Sequence, residues 1–63
     1  MTIKNSTDAI IISRQHRDGV PVPSDLLTAA RDWLARAQMW SSSETAQYQA
    51  NQDALDYLVK VTA

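Results

Sequence analysis

Ser24–Trp40 reads SDLLTAARDWLARAQMW, and its pattern decides the fold. At 100° per residue with Leu26 as origin, Leu26, Ala30, Trp33, Leu34, Ala37 and Trp40 fall in a sector roughly 120° wide. Leu27 lies just beyond its edge. Thr28, Arg31, Asp32, Arg36 and Gln38 fall outside it. This recurrence at i, i+3, i+4 and i+7 predicts an amphipathic helix over 24–40 with one buried stripe. Pro23 ends the segment before it, Ser24 is placed to cap, and Asp25 sets a negative charge at the positive helix end. Two tryptophans seven residues apart dominate the stripe. Each removes on the order of 200 Å² of apolar surface from water when buried, so the stripe is expected to be the core. Trp40, at the helix end, is the alternative anchor for a partner, because tryptophan is enriched at binding hot spots.

Outward from that helix, composition limits the rest. A chain of 63 residues holds one domain at most. It buries only about 60% of its unfolded surface, so oligomerisation or a larger partner is an expected source of stability. There is no cysteine and only one histidine, His16, which excludes disulfide frameworks and zinc fingers and predicts no cofactor. The net charge of −1, with both signs interspersed, provides no field for nucleic acid or anionic membrane. No apolar run is long enough to span a bilayer. The opening residues MTIKNSTD lack the order of a signal peptide, and a cytoplasmic location is expected.

Residues 1–6 are polar and read as a flexible arm. Residues 7–18 admit two readings. As a helix, Ser6 or Thr7 caps and Asp8 sits in the first turn. Arg14, His16 and Arg17 then occupy the last turns, and Gly19 stands at the left-handed position before Val20 and Pro21. As a strand, the three β-branched residues Ile10–Ile12 extend, and Asp18-Gly19 turns the chain onto Val20–Val22. The polar cluster of Arg14, His16 and Arg17 reads as a solvated face, or as a contact for acidic groups or phosphates. GVPVP (Gly19–Pro23) is a stiff connector.

Ser41-Ser42-Ser43-Glu44 matches a capping box with Ser41 as N-cap and Glu44 at N3. A link this short predicts an antiparallel hairpin with a second helix over 43–61. On that helix Tyr48, Leu55, Leu58 and Val59 share one face, while Ala50, Ala54, Tyr57 and Val61 form a second stripe. Two stripes predict contact on two sides, one with the first helix and one with a second copy or partner. Asn51 and Gln52 are expected at the rim, since an unpartnered buried amide is costly.

No P-loop, GxGxxG or HExxH occurs. The serines suffice as caps, and Asp53 and Asp56 read as a solvated face. No enzymatic activity is expected.

VPVPSDLL (Val20–Leu27), the helix after it, SSSE, and a second helix containing DALDYL (Asp53–Leu58) resemble the ribbon-helix-helix DNA-binding family across about two-thirds of the chain. The resemblance implies a short strand before two helices, an intertwined dimer and a role as a transcriptional regulator or antitoxin. The sequence departs from that pattern. Pro21 and Pro23 cannot donate to a paired ribbon, and no basic residue stands at alternate ribbon positions.

The sequence thus predicts an all-α antiparallel helical hairpin, crossed by a short N-terminal helix or extended arm, that forms a homodimer. The expected function is non-enzymatic binding of another protein, as in many small bacterial and bacteriophage regulators and inhibitors. A small structural subunit of a larger complex is the further alternative. The expected contact residues are Met39, Trp40, Tyr57 and Val61, with Arg14, His16 and Arg17 as polar contacts.

Overall fold

Over residues 6–18 the helical reading holds and the strand reading does not. In the computed structural model, which describes residues 3–42 and 44–63, the elements are α1 (Ser6–Arg17), α2 (Ser24–Trp40) and α3 (Ala46–Thr62), with no strand among the described residues. The cap of α1 is Asn5, one residue before the serine expected there. Its extended backbone lets Oδ1 accept the Asp8 N–H at 2.9 Å, while the Asp8 carboxylate accepts the Lys4 N–H at 3.0 Å. At the other end Val20 N–H donates to Gln15 C=O at 2.9 Å and Gly19 N–H to His16 C=O at 3.1 Å. Those two bonds make a Schellman stop, and Gly19 takes the φ of 90° it demands. The isoleucine run is spread round the helix: Ile12 is buried, Ile10 half-buried and Ile11 exposed. The segment Val20–Pro23 is a connector without strand pairing, so the ribbon implied by the resemblance is absent among the described residues.

Helix α2 has the bounds its pattern predicts, but Ser24 does not cap it. Pro23 holds the cap position with no side-chain bond, and its carbonyl accepts from Leu26 and Leu27 at 3.0 and 3.1 Å. The capping box at Ser41–Glu44 is also not formed. Ser41 instead closes α2, donating its hydroxyl to Ala37 C=O at 2.7 Å. Thr45, extended at φ −91° and ψ 150°, caps α3 by accepting the Tyr48 N–H at 3.1 Å. The first helix therefore keeps its last turn and α3 begins at Ala46. Ser43, where the sequence starts that helix, lies outside the described residues, as do residues 1–2 of the N-terminal arm.

Side chains fix the helix directions. Gln38 Nε2 donates to Tyr48 C=O at 3.2 Å and Gln52 Oε1 at 3.1 Å, while Arg31 donates to Thr62 Oγ1 at 3.1 Å. Helix α3 is therefore antiparallel to α2. Asn51 meets Ser6 and Tyr57 meets His16, so α1 runs the same way as α3. The result is an up-down-up arrangement, 32 × 20 × 19 Å, in which α1 packs on both other helices.

The core is Ala9 and Ile12 from α1, Leu27, Ala30 and Leu34 from α2, and Ala54 and Leu58 from α3. Two expectations are corrected here. First, α2 is rotated. Leu27, Ala30 and Leu34 point inward, Trp33 is half-buried and Trp40 is 87% exposed. A helix wedged between two others must turn a face toward each, which swings the buried direction away from the indoles. Second, α3 has one broad buried face. Asn51, Ala54 and Leu58 form its centre, with Leu55 on one edge and Tyr57 and Val61 on the other. Val59, expected in the core, is 49% exposed. Ala54 and Leu58, one from each expected stripe, thus meet at the centre of a single face that packs on α1 and α2, and Ala50 and Val59 fall outside it.

Asn51 is 1% exposed, not at the rim. Its Nδ2 donates to Ser6 Oγ at 3.3 Å, and its Oδ1 accepts from Gln47 Nε2 at 2.8 Å. Both ends of the buried amide are satisfied, which removes the penalty that would keep it at the surface.

Candidate protein-contact site

Good helix formers carry α2 to Trp40, and the exposed segment 41–42 begins immediately after it. Within the last turn Gln38 is tied to α3, while Met39 and Trp40 face solvent. Trp40 is 87% exposed and Met39 76% exposed, the two most exposed large apolar side chains among the described residues. Trp33, Arg36, Ala37 and Trp40 line an open groove of about 290 Å³. Their spacing of i, i+3, i+4 and i+7 puts them on one side of the helix. Ala37 leaves the floor low between two indoles, and Arg36 stands at the edge. The only ion pair among the described residues joins Arg31 to Asp32 at 3.2 Å, so Arg36 has no carboxylate within 4.0 Å. The groove offers aromatic area and one positive charge, with the flexible Met39 thioether exposed on the adjoining flank, a combination suited to holding an apolar side chain of another polypeptide.

The structure does not bring the four expected contact residues together. Met39 and Trp40 lie at the end of α2 near Tyr48. Val61 lies beside Thr62 at the opposite end of the hairpin, where Arg31 binds. The offset from Arg31 to Trp40 is about 14 Å of helix axis. Tyr57 is half-buried and already occupied. Its hydroxyl is hydrogen-bonded to His16 Nδ1 at 2.5 Å, the two rings meet edge-on at 5.7 Å, and the Arg17 guanidinium sits 4.8 Å from the Tyr57 ring centre. These contacts clamp α1 to α3. His16 and Arg17 thus act inside the fold, a role the sequence could not show because their partner lies about 40 positions away.

Arg14 is exposed and lines, with Arg17 and Asp53, a second groove of about 210 Å³ between α1 and α3, floored by Ser13, Ala50 and Ala54. Among the described residues no group of three or more His, Cys, Asp or Glu is placed to hold a metal ion, and no helix is long and apolar enough to cross a membrane. The residue that sequence reasoning missed is Arg36, which its polarity assigned to solvent and its position assigns to the groove.

Comparison with protein families, with characterised proteins and with solved structures finds no match to the chain.

Proposed function

We propose that this is a non-enzymatic cytoplasmic protein that binds another protein through the end of α2 and thereby alters that protein's activity. The observation that carries the reading is the adjacent exposure of Met39 and Trp40 beside a groove lined by both tryptophans of the chain. Leaving an indole in water forgoes on the order of 3–5 kcal/mol of burial. A small chain with a modest core has little stability to forgo, so a surface of this kind points to use. Met39 adds an adaptable contact that fits partners of irregular shape.

The test is quantitative capture from lysate of the source cell by tagged wild-type protein, Met39→Ala, Trp40→Ala and Val59→Ala. Capture of a defined protein that falls at least about tenfold with the first two variants supports the reading. Equal capture by all four overturns it. Val59→Ala controls for exposed apolar surface elsewhere, being itself 49% exposed.

A further inference from the structure

The outer face of α2 carries a pattern that reads the same in both directions. Leu26, Ala29, Trp33, Ala37 and Trp40 recur at steps of three, four, four and three residues, large-small-large-small-large about Trp33. The mean step is 3.5 residues, the period of a helix-pairing seam. None of the five is fully buried: Leu26 and Trp33 are half-buried with one edge against the core, Ala37 is half-buried, and Ala29 and Trp40 are exposed. A pattern symmetric about one residue brings matching positions together when the helix pairs with its own copy about a two-fold axis there, the commonest symmetry of small oligomers.

We propose that a second copy of this chain docks on this face, with the two α2 helices antiparallel and the two-fold axis passing at Trp33. This inference rests on reading the outer face of α2 as a contact surface and names its occupant. In that register Trp33 meets Trp33 of the second copy, Leu26 meets Trp40, and Ala29 meets Ala37. The alanines leave room for the indoles to lean along the seam. Charge fixes the direction. Arg36 comes to lie two residues along the axis from Asp32 of the second copy, about 3 Å of rise, and the symmetry makes that pair twice. Asp32 is exposed and its recorded ion partner is its own neighbour Arg31, while Arg36 has none within 4.0 Å among the described residues. A parallel pairing would instead turn Arg36 toward the opposite flank of the second copy, which holds Ala30 and Leu34 and no carboxylate. Met39 sits about 100° round the helix from the seam and stays exposed in the dimer. Each dimer then presents two copies of it to a further protein.

The experiment is the molar mass of the full chain by light scattering over a concentration series, repeated for Arg36→Asp, Asp32→Arg and the double variant, with circular dichroism confirming that each is helical. The expected result is a dimer that dissociates on dilution. Each single variant weakens it by about tenfold or more, and the double variant recovers most of the loss. A wild-type monomer at every concentration overturns the proposal. So does a dimer that ignores the charge changes, or one in which the double variant is as weak as the singles. The wider reading of this face survives any of those results if Met39→Ala and Trp40→Ala still abolish capture of a partner.

Discussion

The two faces of α2 are built from similar material and used oppositely. On the inner face Leu27, Ala30 and Leu34 are 6%, 0% and 0% exposed and meet both other helices. The outer face holds the two largest side chains of the protein, and there Trp40 is 87% exposed. The hydrophobicity of a residue does not choose its side; the position of the neighbouring helices does. Leucine and alanine let α1 and α3 approach closely, whereas an indole in the same place would hold three short helices apart. The indole of Trp40 is left in water, and that of Trp33 only partly covers the edge of the core.

That contrast can be broken most directly at Leu34. Leu34→Ala is expected to cost about 2–5 kcal/mol, enough to unfold much of so small a protein, as read by urea or thermal melts followed by circular dichroism. A loss under about 1 kcal/mol would mean that the inner face is not the core. Asn51→Ala comes next. Removing the buried amide strands Ser6 and Gln47 and is expected to cost about 1–3 kcal/mol. Gly19→Ala, at a φ of 90°, is expected to cost roughly 1 kcal/mol through backbone strain alone, since nothing lies within 4 Å of an added Cβ. Tyr57→Phe should cost about 0.5–1.5 kcal/mol by removing the bond to His16, with a matching rise in amide exchange along α1. The smallest effect sharpens the contrast most. Trp40→Ala, melted at a dilution where the chain is monomeric, should leave stability within about 0.5 kcal/mol while removing binding. If it destabilises as much as Leu34→Ala, the distinction between the faces fails.

Local signals in the sequence carried as far as local physics does. The bounds of α2 follow from Pro23 and the run of helix formers, and the end of α1 follows from Gly19, because only glycine takes that backbone angle cheaply. The isoleucine run, open to both a helix and a strand reading, is helical, with Asn5 capping one end and the Gly19 stop closing the other. Choices among equivalent residues were not legible. Ser41, Ser42 and Thr45 all carry cap-forming hydroxyls, and the geometry of the link selects Thr45. Facts made by distant pairing were not legible either. Asn51 is buried because Ser6 reaches it from 45 positions away, and Tyr57 faces inward because His16 and Arg17 hold it. At the site the sequence left Trp40 open between core and surface, and the structure places it in solvent. The groove and the place of Arg36 beside it needed coordinates.

The position of the indoles also determines what light can report. Neither tryptophan is fully buried: Trp33 packs half-buried against the edge of the core and Trp40 is exposed. Indole emission responds to the water around the ring, and Trp40 is nearly as wet in the folded chain as in the unfolded one. Trp40 will therefore report little of unfolding and half-buried Trp33 only part of it, so backbone ellipticity is the fuller signal for folding. The same indoles make an unlabelled sensor of occupancy: whatever docks on α2 dries them, and a blue shift at constant helicity marks binding without any folding change.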